Sequence, residues 1–127
     1  MDAKERLKAL QNDLNGIGEA LGIEALRQEE RRLSRMMADA GFWQKPDAEK
    51  TVQRLKDLRS VLEAFDEAAA RLADLVAMEE LLSEEHDEEL ERDFEAGVEE
   101  AERMVKRLRV RLLLAGEHDA RNAYLSV

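Results

Sequence analysis

Apolar residues recur at alternating steps of three and four along most of this chain, and this spacing constrains the fold more than any other feature. Near the C-terminal end the series is Phe94, Val98, Ala101, Val105, Leu108 and Leu112. Earlier series are Leu7, Leu10, Leu14, Ile17 and Leu21; Ile23, Leu26, Leu33 and Met37; and Leu55, Leu58, Leu62, Phe65, Ala69, Leu72 and Val76. Such series line one face of an α-helix that packs on other helices.

Glycine, proline and polar segments predict where these helices begin and end. Gly22 is expected to bend or break the first helix, and Gly41 to cap the second in a left-handed conformation. Pro46 suits the first position of a long helix that runs to about residue 82. Residues 83–89 contain no apolar side chain and are expected to form a turn leading into the last helix. Gly116 is the expected end of that helix.

These elements predict an all-α fold: an elongated three- to four-helix bundle with a long antiparallel helical hairpin and a short strand-like C-terminal tail. Residues 1–115 are expected to form an N-terminal helical domain. Residues 116–127 are expected to form a turn and the start of a truncated next domain, because residues 123–127 alternate like a strand. An unpaired strand of this kind should fray or pair with a neighbouring molecule.

Charge and composition exclude several functions. The net charge is −10, with 39% charged and 4% aromatic residues, so direct contact with nucleic acid is not expected from this segment. Cysteine is absent, which excludes disulfides and Cys-based zinc sites. The sequence has no apolar run of membrane-spanning length and no signal peptide at its start, so we expect a soluble cytoplasmic protein without membrane contact.

Residues that usually carry chemistry occur here without a pattern that supports it. His86 lies among acidic residues that fan out around a helix, so a solvated turn is favoured over a metal site. The acidic residues between 79 and 93 lack a calcium-loop pattern, and no nucleotide-binding or nucleophile motif occurs. We therefore expect no catalytic, cofactor-binding or metal-binding residue, and no enzyme activity from this segment.

Two further features leave alternatives open. The cationic clusters Arg27, Arg31, Arg32, Arg35 and Lys106, Arg107, Arg109, Arg111 either pair with acidic residues of neighbouring helices, which is favoured, or meet phosphates or acidic partners. Phe42 and Trp43 either close one end of the bundle, which is also favoured, or form an exposed anchor for a partner.

Two stretches resemble a known family. Residues 41–65, GFWQKPDAEKTVQRLKDLRSVLEAF, resemble the turn and following helix of the N-terminal domain of the bacterial peptide chain release factor 2 family. Residues 114–127, LAGEHDARNAYLSV, resemble the stretch by which that family leaves the domain. The resemblance marks as signature or candidate interaction positions Phe42, Trp43, Pro46, Gly116, Glu117, Asp119, Asn122, Ala123 and Leu125.

The resemblance implies a function that lies largely outside these residues. Such factors direct termination at UAA and UGA through a Ser-Pro-Phe tripeptide and a Gly-Gly-Gln loop, neither of which occurs in this sequence. The implied partners of the N-terminal domain are the stalk-base region of the large ribosomal subunit and the GTPase release factor 3. No cofactor is implied.

A second hypothesis follows from the apolar series alone. A free-standing coiled-coil adaptor or a homodimeric helical scaffold would use the same spacing to bind another chain. This hypothesis predicts that the chain self-associates, either through the exposed apolar faces of its helices or through the edge of its C-terminal strand.

Overall fold

The computed structural model describes the backbone of residues 1–125 and the side chains of residues 1–114. Four helices account for nearly all of this range: α1 (Ala3–Leu21), α2 (Ile23–Ala38), α3 (Ala48–Glu84) and α4 (Glu88–Leu125). A single 3-10 turn, Phe42–Gln44, lies between α2 and α3. The described residues contain no strand, so the predicted all-α class is confirmed.

Helix α1 begins and ends at residues whose local chemistry fixes its bounds. The Asp2 side chain accepts a hydrogen bond from the Glu5 backbone N–H at 2.8 Å, which satisfies a free donor of the first turn. At the other end Gly22 has φ 68° and ψ 49°, and its N–H donates back into the last turn. A side chain would be strained in this left-handed conformation. The predicted break at Gly22 is therefore confirmed.

The main core lies where α1, α4 and the C-terminal half of α3 meet. Leu7, Leu10, Leu14 and Ile17 from α1 are buried there, as the first apolar series predicts. Helix α4 contributes Phe94, Val98, Ala101, Val105 and Leu108, with Leu112 partly buried at the edge. Because one helix face from each element is covered, this part of the chain is a three-helix bundle.

Helix α2 packs instead on the N-terminal half of α3, where Leu33, Leu55 and Leu58 form a separate small core. Within the described residues α2 does not contact α4. Helix α3 therefore changes partners along its length. The buried positions of α3 therefore move to another face of the helix between Leu62 and Ala68, which are six residues apart. Phe65, which lies between them, is only partly buried.

Helices α3 and α4 form the predicted antiparallel hairpin through a connection at residues 85–87. Asp87 starts α4, because its carboxylate accepts hydrogen bonds from the N–H groups of Glu89 at 3.0 Å and Leu90 at 3.2 Å. Gly97 allows the two helices to approach closely, since a Cβ atom there would lie 2.6 Å from the Leu75 Cδ2 atom.

The predicted connection between α2 and α3 is wrong in two details. Gly41 has φ −83° and is not a left-handed cap. The chain leaves α2 at Asp39, whose extended backbone redirects it and whose carboxylate accepts from the Gly41 N–H at 3.4 Å. Helix α3 begins at Ala48 rather than Pro46, because the Ala48 N–H still donates to the Lys45 carbonyl of the preceding turn.

The predicted end of the last helix at Gly116 is also wrong, since α4 continues through Gly116 to Leu125. The expected turn after Gly116 and the strand over residues 123–125 are therefore corrected to helix. An isolated strand leaves its backbone groups without partners, whereas a helix satisfies them within the segment. Ser126 and Val127, the last two residues of the predicted strand, lie outside the described residues.

Candidate interaction surface

The connection between α2 and α3 is a short series of hydrogen-bonded turns. The Phe42 N–H donates to the Asp39 carbonyl at 3.1 Å, and the Lys45 N–H donates to the Phe42 carbonyl at 3.1 Å. The 3-10 turn contacts both α2 and α3, and no described contact joins it to α4. Its backbone is thus fixed against two helices, which gives its side chains a defined direction.

The two adjacent aromatic residues of this turn have opposite environments. Phe42 is 1% exposed, whereas Trp43 is 62% exposed. Their ring centroids are 5.1 Å apart with an interplanar angle of 88°, an edge-to-face arrangement. The favoured prediction, that both rings close the bundle, is therefore right for Phe42 and wrong for Trp43, because no helix covers the side of the turn on which Trp43 lies.

Trp43 is a surface group suited to a partner. The buried Phe42 ring contacts the Trp43 indole edge to face and restricts its motion. The indole therefore loses little conformational freedom on binding. Within the side chains that the structure describes, its N–H donates to no protein acceptor. Lys45 and Pro46 beside it are also exposed. An exposed, preordered aromatic ring with a free donor is typical of interface hot spots.

Ion pairs join α2 to α3 along the length of these two helices. Arg27 donates to both carboxylate oxygens of Asp66, at 2.6 and 3.1 Å. Arg54 donates in the same bidentate manner to Glu29, at 2.9 and 3.1 Å. Hydrogen bonding to these guanidinium groups lowers the pKa of Asp66 and of Glu29 below their ordinary values. The favoured prediction of pairing across helices is confirmed for Arg27.

The other cations of α2 face solvent. Arg31, Arg32 and Arg35 are exposed, and none forms an ion pair with an acidic side chain among residues 1–114. Arg32 contacts the Met36 sulfur at 3.6 Å. The three guanidinium groups precede the Trp43 turn along the chain.

The second cationic cluster, on α4, divides in the same way. Arg109 pairs with Asp13 of α1 at 2.9 Å, and Arg111 donates to the Ser60 hydroxyl at 3.0 Å. Lys106 and Arg107 are exposed, with no acidic partner among the described side chains. Pairing therefore accounts for only part of this cluster.

Arg6 of α1 forms a further bidentate pair with Glu102 of α4. The hydrogen bonds from Arg6 lower the pKa of the Glu102 carboxyl below its ordinary value. Together with Arg109 and Asp13, this pair ties α1 to α4 at two points.

Six other predicted positions fall within helix α4, where the structure describes only the backbone: Gly116, Glu117, Asp119, Asn122, Ala123 and Leu125. His86 lies in the turn between α3 and α4, as predicted. Among the described residues no group of acidic or histidine side chains is arranged to hold a metal ion. No helix in that part of the chain is long and apolar enough to cross a membrane.

One exposed apolar group was missed by the sequence reasoning. Val110, Leu113 and Leu114 are exposed on α4. The signal was present in the run of three leucines at residues 112–114, because three consecutive helical positions cannot all face one core.

Fold and surface thus define an all-α helical domain with a candidate interaction surface at the Trp43 turn. Comparison with known families gives a match to the PCRF domain over residues 26–127, which is most of the chain. The chain belongs to the PCRF domain family.

Three similar proteins have the same name, peptide chain release factor 2. The chain is 34% identical over 127 residues to peptide chain release factor 2 of Acidothermus cellulolyticus, covering 99% of this chain and 34% of that protein. It is 31% identical to peptide chain release factor 2 of Staphylococcus epidermidis, with the same coverage. For the Lactiplantibacillus plantarum protein the identity is 30%, over 98% of this chain and 33% of the relative. The chain spans about a third of the length of these relatives.

Proposed function

We propose that this chain is the N-terminal helical domain of a bacterial type 2 release factor and serves translation termination as an interaction module. The observation that carries the proposal is the PCRF match over residues 26–127, together with relatives named peptide chain release factor 2 along nearly the whole chain. The proposed division at residue 116 belongs to this hypothesis, with residues 116–127 leading toward the next domain.

The activity of the whole factor is a further part of the proposal. By family resemblance the parent reads UAA and UGA and promotes hydrolysis of the peptidyl-tRNA ester with residues outside this chain. This domain then contributes binding, not chemistry. Its proposed partners are the stalk-base region of the large subunit and release factor 3. The net charge of −10 favours protein surfaces over bare RNA as its main contacts.

Trp43 is the residue that we propose as the centre of such a contact. It is exposed and in edge-to-face contact with Phe42. It follows Arg31, Arg32 and Arg35, which have no acidic partner among residues 1–114. Pro46 limits the backbone freedom of the same connection.

A chimera tests the proposal. Residues 1–127 replace the corresponding third of the Acidothermus cellulolyticus factor, and peptide release is measured on ribosomes halted at UGA, with and without release factor 3. We expect release and the response to release factor 3 to match those of the parent factor. The control is the same factor with that third deleted. A chimera that is folded by circular dichroism but behaves like the deletion contradicts the proposal.

Within this chimera, Trp43→Ala should weaken ribosome binding about thirtyfold, since truncating an interface hot spot costs about 2 kcal/mol or more. The maximal release rate should stay unchanged, because the chain carries no group that acts on the ester. Leu81→Ala is the matched control. Leu81 is also a large exposed apolar residue, but it lies at the far end of α3. Equal effects of both variants would contradict the role of Trp43.

The scaffold hypothesis receives less support. The apolar residues that motivate an obligate dimer pack against one another within this chain. Leu10, Leu72 and Val98 are all buried in its main core. We expect a sedimentation coefficient that does not change with concentration. A dimer that persists on dilution would restore the adaptor or homodimer as the better hypothesis.

A further inference from the structure

Residues 103–114 of α4 combine unusual charge with unusual exposure. They contain five basic residues and no acidic one, in a chain of net charge −10: Arg103, Lys106, Arg107, Arg109 and Arg111. The same segment holds three exposed apolar side chains: Val110 at 46%, Leu113 at 61% and Leu114 at 59%. Exposed apolar side chains that lie close together are typical of interaction sites.

A groove of about 560 Å³ lies beside this segment, between α3 and α4. Ala64 of α3 and Met104 and Val110 of α4 line it with apolar atoms. The charged residues that line it are Glu67, Lys106, Arg107 and Arg111, which are one carboxylate and three cations. The groove therefore offers apolar contact together with cationic side chains.

The groove is open because neither remaining helix reaches it. Arg109 meets Asp13 of α1 on another side of α4. Helix α2 packs on α3 and has no contact with α4 in the described part of the chain. No helix of residues 1–114 thus lies over the groove.

Only one of the five cations in the segment forms an ion pair among the described side chains. Arg109 is neutralised by Asp13, and Arg111 is held by the Ser60 hydroxyl. Arg103, Lys106 and Arg107 are exposed and have no acidic partner among the side chains that the structure describes. The partner that complements this surface must therefore supply both apolar side chains and carboxylates.

We infer that the groove between α3 and α4 binds an amphipathic α-helix of a partner protein, with an apolar stripe flanked by acidic residues. The stripe lies on Ala64, Met104 and Val110, and the acidic flank meets Arg103 and Arg107. The surface contains no aromatic side chain for stacking bases, which disfavours single-stranded nucleic acid. A second copy packed by the same face would bring two basic segments together, which disfavours a symmetric dimer.

The test uses a fluorescently labelled synthetic peptide of about four helical turns, with leucines at steps of three and four and glutamates beside them. A scrambled peptide of equal composition removes the apolar stripe but keeps the charge. Single-stranded oligouridine is the phosphate probe. We expect fluorescence anisotropy to give binding at least about tenfold tighter for the helical peptide than for either control.

Variants locate the binding. Val110→Asp and, separately, the pair Arg103→Glu with Arg107→Glu should each weaken peptide binding by about tenfold. The side chains changed in these variants are exposed or face the groove, and folding is checked by circular dichroism. Lys4→Glu with Lys8→Glu is the matched control. It makes the same charge change at the same spacing on α1, whose residues do not line the groove, and should leave binding nearly unchanged.

Three results would overturn the inference: equal binding of the scrambled peptide, tighter binding of oligouridine, or self-association that Val110→Asp abolishes. Because no ribosome is used, this test and the chimera experiment can fail independently.

Discussion

Phe42 and Trp43 are neighbours of similar chemistry, yet one is buried and the other is exposed. In a 3-10 turn successive side chains point about a third of a turn apart, so only one of the two can face the helices that the turn contacts. Phe42 takes that position, and the edge-to-face contact holds Trp43 beside it in solvent. The same pair thus provides a structural residue and a candidate binding residue.

This difference gives a prediction for stability. Phe42→Ala should lower the free energy of unfolding by about 3 to 4 kcal/mol, because it leaves a cavity in a buried site. Trp43→Ala should change it by less than about 0.5 kcal/mol, because little of its surface is removed from water. Urea denaturation of the two variants measures both values. A large loss for Trp43→Ala would show that the indole packs in the fold.

At the scale of the elements, α1 has a glycine on its exposed face and another directly after its last residue. Gly16 lies on the exposed face of α1, and a methyl group added to its Cα would have no neighbouring atom within 4 Å, whereas Gly22 ends the helix with φ 68°. Glycine weakens a helix at the first position and is required by the backbone at the second. The break between α1 and α2 therefore depends on Gly22.

Alanine at these two positions should have opposite effects. Gly16→Ala should raise the free energy of unfolding by about 0.5 to 1 kcal/mol through helix propensity. Gly22→Ala should lower it by about 1 kcal/mol, because a Cβ atom is strained in the left-handed conformation. Thermal denaturation of both variants, followed by circular dichroism, provides the comparison. A stabilising Gly22→Ala would mean that the break is not fixed by this backbone conformation.

At the scale of the whole molecule, salt bridges link residues of different helices that are far apart in sequence. Arg27 and Asp66 join α2 to α3, and Arg6 and Glu102 join α1 to α4. The side chains are partly exposed, so each pair contributes modestly and loses strength in salt. Their carboxyl groups nevertheless have a pKa lowered by their arginine partners, which ties helix association to pH.

The sign of this pH dependence follows from the lowered pKa values. A carboxyl with a lower pKa in the folded state stabilises the fold above its unfolded pKa, and this stabilisation is lost as pH falls through the folded pKa. The free energy of unfolding should therefore decrease below about pH 4.5. Asp66→Asn should make that decrease shallower. Glu63→Gln, on the same helix but without an ion pair among the described residues, should leave its steepness nearly unchanged, and equal effects would contradict the assignment to Asp66.

The sequence by itself determined the helices, the hairpin and the break at Gly22. These features depend on apolar spacing and on the conformational limits of single residues, which neighbouring residues in the chain encode. The core positions of α1 and α4 follow from the same spacing, because each of these helices presents one face to one core.

Only the tertiary structure decided what each surface faces. The separation of Phe42 from Trp43, the change of partner along α3 and the open groove beside Val110 depend on which distant helix lies nearby. The continuation of α4 past Gly116 was also missed, because a short alternating segment fits a strand only where another strand can pair with it. Local chemistry sets the backbone of each element, but burial is a property of what the rest of the chain covers.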